Sequence, residues 1–165
     1  MKNIYLIGMM NCGKSTCAGL LAPRLGLTML DTDLEIEART GRTVNRIFAE
    51  KGEAWFRDRE TALLRELQGK ENLVVACGGG LPLREENRRL MRESGAVLYL
   101  RRDPEKCYDG GDMSGRPLAQ AGREDFLKRF AARDPIYRSA AHIIIGDHDT
   151  AEEAVQEIIE RLEIV

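Results

Sequence analysis

No apolar run in the 165-residue sequence approaches the ~20 residues needed to cross a bilayer, so no membrane contact is expected. Metal-binding cysteine pairs are absent too. Cys12, Cys17, Cys77 and Cys107 form no C-x-x-C, and His142 and His148 stand far from the first three, which argues against a zinc site. No secretory leader is visible, and free thiols in a reducing cytoplasm are expected. There is no internal repeat, low-complexity tract or linker, so one domain over residues 1–165 is expected, as a monomer. Nor is there a basic excess. With 25 Lys+Arg against 27 Asp+Glu, a net charge of −2 and a pI of about 5.8, no nucleic-acid partner is expected. The cations are lopsided, however, since 19 of the 25 are Arg. Arginine binds carboxylate and phosphate bidentately. Genome base composition gives the same bias and is the preferred account of most of them.

What is present begins with Gly8-Met9-Met10-Asn11-Cys12-Gly13-Lys14-Ser15-Thr16, which fits the phosphate-loop spacing G-x-x-x-x-G-K-[ST]. Residues 2–7 before it read as a short buried strand and residues 15–25 after it as a helix, the setting this motif requires. Consecutive backbone N–H groups in such a loop turn inward onto a polyphosphate, and the helix adds its N-terminal end. Asn11, Cys12, Gly13, Lys14, Ser15 and Thr16 are the expected phosphate-contacting residues. Lys14 reaches the β- and γ-phosphates, and the Ser15 hydroxyl ligates magnesium. A chance match on an ordinary strand-loop-helix turn is the competing account, and the context counts against it. Cys12 at the helix start is a candidate redox-sensitive thiol, but a small filler residue is the preferred reading.

Further along, residues 27–30 read as a second strand ending at Asp31-Thr32-Asp33. In open α/β sheets that edge binds ligands. Extended backbone would put both carboxylates on one face, although either acid could instead cap the following helix. Helices follow over 34–40, 43–51 and 53–68. For Arg57 and Arg59, amid Glu53, Asp58 and Glu60, surface pairing is the default explanation. The continuous apolar run 72–77 reads as a central parallel strand. Gly78-Gly79-Gly80 after it suggest close approach of backbone to a ligand, or a flexible turn. A helix from Pro82 to 93, a strand over 96–100 and a helical turn at Asp103-Pro104 come next. Residues 109–122 are polar and glycine-rich and read as a lid. A helix over 123–133 is expected to break at Asp134-Pro135 and to resume as a shorter one carrying Ile136 and Tyr137. Residues 142–145 form the last strand, and Thr150-Ala151-Glu152-Glu153 is a capping box opening the C-terminal helix. Strands alternating with helices predict an α/β fold with a parallel sheet covered on both faces. Residues 34–70 form an insertion large enough for a second substrate.

In this order the pieces resemble the shikimate kinases. The resemblance rests on the loop Gly8 to Thr16, Asp31-Thr32-Asp33, Phe56-Arg57-Asp58-Arg59-Glu60, Gly78-Gly79-Gly80, Arg116-Pro117-Leu118 and Arg133-Asp134-Pro135-Ile136-Tyr137. It covers almost the whole chain, and the combination is far more specific than the phosphate loop alone. It implies a three-layer αβα phosphate-loop fold of the nucleoside monophosphate kinase-like type, with a mostly parallel five-stranded sheet and a short lid. It further implies ATP- and Mg²⁺-dependent phosphorylation of the 3-hydroxyl of shikimate, in aromatic amino acid biosynthesis. By that resemblance Asp33 holds the ring hydroxyls and takes the attacking proton. Arg57 and Arg133 pair with the substrate carboxylate, while Gly79 and Gly80 pack on the ring. Asp31 helps hold magnesium through water beside Ser15. Arg116 swings in with the lid to stabilise the transferring phosphoryl group, which with Lys14 and Asp33 completes the catalytic set.

The chain departs from the family pattern in places. Asn11 stands where glycine is common. Cys107-Tyr108-Asp109-Gly110-Gly111 lacks the arginine often found before the lid, and Asp147-His148-Asp149 replaces an arginine-containing adenine loop. The last two changes bear on the nucleotide base and not on the acceptor. The rival readings are a gluconate or nucleoside monophosphate kinase of the same fold, and a nucleotide-binding regulatory module without turnover.

Overall fold

The computed structural model describes residues 2–110 and 122–164. Arg116 and most of the expected lid lie outside the described residues. The elements run β1 (Asn3–Ile7), α1 (Lys14–Leu25), β2 (Thr28–Asp31), α2 (Thr32–Thr40), α3 (Val44–Lys51), α4 (Glu53–Leu67), β3 (Leu73–Ala76), α5 (Glu85–Ser94), β4 (Gly95–Leu100), α6 (Pro104–Gly110), α7 (Arg123–Ala140), β5 (Ile143–Ile145) and α8 (Ala151–Ile164). The sheet order is β2-β3-β1-β4-β5, and every pairing is parallel. β1 is therefore central, and all five of its residues are buried. A strand covered on both faces needs apolar side chains on both, which is why its sequence does not alternate. Its one strongly polar residue, Asn3, is fully buried and satisfied. Its amide donates to the Leu67 and Lys70 carbonyls and accepts from the Leu73 amide, tying the end of α4 to the start of β3.

Helices α1 and α8 pack on one another, while α5 contacts α4, α7 and β4. The main core lies between these layers and the sheet. Ile36, Ile47, Phe56 and Leu63 form a second, smaller core that joins α2, α3 and α4. The capping residue of α8 behaves as the sequence predicts, with the Thr150 hydroxyl accepting from the Glu153 amide. The stripe on α8 buries Val155 and Ile158 completely.

Two local expectations are corrected. The segment after Gly80 does not enter a helix at Pro82. Leu81–Leu83 is a 3-10 turn, Arg84 is extended, and α5 starts at Glu85. The expected break at Asp134-Pro135 does not occur either, because α7 continues through Pro135 to Ala140. An internal proline costs about 3 kcal/mol. Tertiary contacts on both sides of it resist the break. Asp134 accepts from the Tyr99 hydroxyl at 2.6 Å, from Arg101 at 3.0 Å and from Arg138 at 3.0 Å. Arg133 and Tyr137, one turn apart, are both buried. The departure at Asp109 has a structural use as well, since it ion-pairs with Arg123 and so joins the last turn of α6 to the first residue of α7.

Candidate active site

The loop between β1 and α1 sits at the carboxyl end of the central strand. Three of its residues have positive φ: Gly8 at 149°, Asn11 at 60° and Gly13 at 93°. Such reversals turn backbone N–H groups into one concavity, an anion-binding nest. They also account for Asn11, because asparagine is the side-chain-bearing residue that tolerates the left-handed region best. Lys14 as a whole is only 9% exposed, and its ammonium donates to the Gly8 carbonyl at 2.8 Å and the Met9 carbonyl at 2.7 Å. A buried cation held by neutral carbonyls has unspent attraction for an anion.

Asp31 is both things the sequence allowed. One carboxylate oxygen caps α2 by accepting from the Leu34 amide at 3.1 Å, and the other accepts from the Ser15 hydroxyl at 2.6 Å. Two hard oxygen donors beside a phosphate nest suit magnesium, which takes one or two protein oxygens and keeps waters and phosphate oxygens for the rest. Among the described residues no group of three or more His, Cys, Asp or Glu is placed to hold a metal. Asp33 is not in extended backbone as expected. It lies in the first turn of α2, yet lines the same cavity of about 460 Å³ as Lys14, Ser15, Thr16, Asp31 and Gly79.

The glycine triplet determines what can approach. A Cβ on Gly78 would stand 2.6 Å from Asp33 Oδ1 and 3.2 Å from Glu60 Oε2. On Gly79 it would stand 3.5 Å from Arg133 Nη1, and on Gly80 only 2.2 Å from Arg57 Nη2. Gly78 and Gly80 thus let two acids and the Arg57 guanidinium gather around one turn, while at Gly79 a Cβ would only touch Arg133 at an ordinary distance. Gly79 also lies against the phosphate loop, with the Met10 nitrogen 3.5 Å from the same Cβ position. Arg57, Gly80 and Arg133 do not line the cavity itself; they stand behind its Gly78-Gly79 wall.

The surface-pairing account of Arg57 is overturned. Arg57 is 8% exposed, donates to Glu60 at 2.8 Å and to Glu53 at 3.2 Å, and lies 5.8 and 5.5 Å from the ring centres of Phe48 and Phe56. Arg59 is the exposed one, resting on Trp55. Arg133 is also buried, and its Nη1 has no hydrogen-bond partner among the described residues. Glu60 is fully buried, with Oε2 likewise unpartnered. Burial pushes its carboxyl from 4.5 up to about 7, although the Arg57 charge pulls the other way. Sequence reasoning gave no role to Glu60, Thr32 or Tyr137. The Tyr137 hydroxyl donates to the Gly79 carbonyl at 2.6 Å, and the buried Thr32 hydroxyl accepts from the Gly78 amide at 2.9 Å. The available signals were spacings, i+3 from Arg57 to Glu60 and i+4 from Arg133 to Tyr137. The four cysteines are free and buried, Cys12 among them, which fits the filler reading.

A phosphate nest facing a pair of buried arginines across a glycine turn is an arrangement for bringing a polyphosphate to a small acid. A shikimate kinase profile matches residues 10–163. The chain belongs to the shikimate kinase family. The shikimate kinase of Ralstonia nicotianae is 41% identical over 99% of this chain and 88% of its own. That of Pelotomaculum thermopropionicum is 43% identical over 96% and 94%. Among solved structures, the shikimate kinase of Acinetobacter baumannii in complex with shikimate superposes with a TM-score of 0.93 at 37% identity, covering 98% of this chain and 93% of that one. A gluconokinase from Sinorhizobium meliloti has a TM-score of 0.57 at 14% identity, a likeness of fold alone. The fold is accordingly the phosphate-loop, nucleoside monophosphate kinase-like one.

Proposed function

We propose that this chain carries out its family's reaction through the residues described above. It transfers the γ-phosphoryl group of ATP to the 3-hydroxyl of shikimate. The observation that carries this reading is the pair of buried arginines at Gly79 and Gly80, one of them with an unpartnered Nη1, beside a carboxylate and within reach of the loop. A substrate carboxylate supplies the partner that Arg133 lacks, and two cations suit one carboxylate. Arg57 is held for this by Glu60 and Glu53, which outweigh the effect of its burial and raise its pKa. Tyr137 fixes the Gly79 carbonyl, and with it the wall on which the ring rests.

In the reaction Asp33 accepts the proton of the attacking hydroxyl, whose oxygen bonds to the γ-phosphorus as the bond to the β-phosphate oxygen breaks. Lys14 and the loop amides stabilise charge on the β- and γ-phosphates. Ser15 and Asp31 would hold magnesium, which when bound neutralises phosphate charge. Arg116 is assigned by the family motif and lies outside the described residues. Residues 34–70 act as the acceptor-binding insertion and residues 109–122 as the lid within a single domain. The protein acts as a cytoplasmic monomer without a nucleic-acid partner.

ADP release measured in parallel with shikimate, gluconate and nucleoside monophosphates tests the reading. Stimulation by shikimate alone is expected. Stimulation by another acceptor and not by shikimate overturns it, and ATP binding without product at saturating shikimate would support the regulatory alternative.

A further inference from the structure

The phosphate loop is bordered by two hollows that meet at Gly13. One holds Asp33 and Gly79, the acceptor side. The other lies between α1 and the segment 146–151, and is lined by Gly13, Cys17, Arg102, Gly146, His148 and Ala151, among others. With phosphates in the loop and an acceptor on the first side, the nucleoside leaves by the second. The segment that borders this hollow carries Asp147-His148-Asp149, with His148 and Asp149 in its lining.

That acidic segment is anchored from outside the hollow. Lys106 holds Asp147 at 2.9 Å, and His148 Nε2 meets Glu157 at 2.6 Å. It forms a wall without lysine or arginine. Arg102 is the cation that lines the hollow. Its neighbour Arg101 is used structurally, paired with Asp134 at 3.0 Å and lying over Phe130. Arg102 is different, because its Nε is buried and has no hydrogen-bond partner among the described residues. Its charge is also felt beneath the loop. Burial pushes the Cys17 thiol up to about 11, and Arg102 works against that rise.

We infer that Arg102 holds the base of the nucleotide, donating from its guanidinium to an acceptor nitrogen of the purine ring. A guanidinium donor without a partner carries a desolvation cost, and a purine ring nitrogen is an uncharged acceptor that matches an N–H donor at the edge of the hollow. This inference rests on the kinase reading only for the presence of a nucleoside triphosphate, and its test needs no acceptor.

Calorimetric titration with magnesium compares ATP and inorganic tripolyphosphate on the wild type, Arg102→Ala and Arg102→Met, the last keeping the bulk of the side chain without its donors. Both variants are expected to bind ATP about tenfold more weakly, with tripolyphosphate affinity unchanged within about twofold. Equal weakening for both ligands overturns the inference, because Arg102 would then act on the phosphates or on the shape of the loop. Unchanged ATP affinity overturns it, and so does full recovery in Arg102→Met, which would reduce the role to packing. An acceptor other than shikimate would leave the comparison intact, so the two readings fail separately.

Discussion

Replacing Gly80 with alanine perturbs the acceptor site through one atom. Gly80 has φ −92° and ψ −3°, an ordinary conformation, so a side chain there strains no backbone. The added Cβ would meet Arg57 Nη2 at 2.2 Å, Cζ at 2.4 Å and Nη1 at 2.6 Å, where ordinary contact begins at 3.4 Å. The guanidinium must therefore retreat by at least 1.2 Å at its closest atom. It cannot retreat freely, since Glu60, Glu53 and the rings of Phe48 and Phe56 surround it. Misplacement of about 1 Å in a positioning group costs on the order of a hundredfold in rate. If the move also breaks the bond to fully buried Glu60, stability falls by about 3–5 kcal/mol.

The expected result for Gly80→Ala is thus a roughly hundredfold fall in kcat/KM for shikimate with the KM for ATP changed less than about threefold. A coupled assay with each substrate varied at saturation of the other measures both, and urea denaturation reports the stability arm. Near-normal kcat/KM for shikimate would refute the placement of Arg57 on the substrate carboxylate. An equal loss on both substrates would mean that the glycine turn shapes the phosphate loop instead.

Arg133→Ala is expected to raise the KM for shikimate about thirtyfold, the effect of about 2 kcal/mol for a truncated buried charge contact, and to leave the KM for ATP nearly unchanged; equal effects on both would show Arg133 misassigned. Lys14→Ala should lower kcat about a hundredfold or more, by loss of the donor to the transferring phosphoryl group, and near-normal turnover would contradict the site. Glu60 titrates near 7 in the fold against 4.5 ordinarily, so its stabilising contribution is complete below about pH 4.5 and lost as pH rises through about 7. The stability of Glu60→Gln relative to wild type should accordingly improve between about pH 5 and about pH 8, and a pH-independent difference would show that burial does not govern that carboxyl.

The parts of the molecule legible in the sequence are those whose physics is local. Residues 8–16 reveal themselves because backbone wrapped around phosphate demands glycine and lysine at fixed offsets. The inner strands β1, β3 and β4 are visible as apolar runs because a parallel sheet is covered on both faces, whereas edge strand β2 is only partly buried. Arg57 was illegible for a physical reason. An i,i+3 pair of opposite charges reads the same on an exposed face as beneath Phe48, and only the packing of α3 on α4 distinguishes them. Pro135 misled for the converse reason, since its local cost is real but Asp134 and Tyr137 are fixed by the distant partners Tyr99, Arg101 and Gly79. Asp33 lines the cavity by a geometry other than the expected one: α2 starts at Thr32, two residues earlier than the extended spacing assumes.

The acceptor side also explains why both Gly78 and Gly80 stand where one glycine would make a turn. Burying Glu60, Arg57 and Arg133 beside half-buried Asp33 is costly unless each charge has an opposite one within contact. A side chain at residue 78 would press on Asp33 and one at residue 80 on Arg57, while residue 79 has room for a Cβ in ordinary contact with Arg133. Gly78 and Gly80 remove that pressure, and the charges then meet across the backbone instead of around it. Compensation is nevertheless incomplete, because Glu60 Oε2 and Arg133 Nη1 remain without hydrogen-bond partners among the described residues. Filling the site with apolar groups would relieve that cost but destroy the binding of an anion. Of the two unpartnered atoms, only Arg133 Nη1 can be completed by an acidic acceptor, which on the proposed reading would bind the better for it, whereas Glu60 Oε2 needs a donor or a proton of its own.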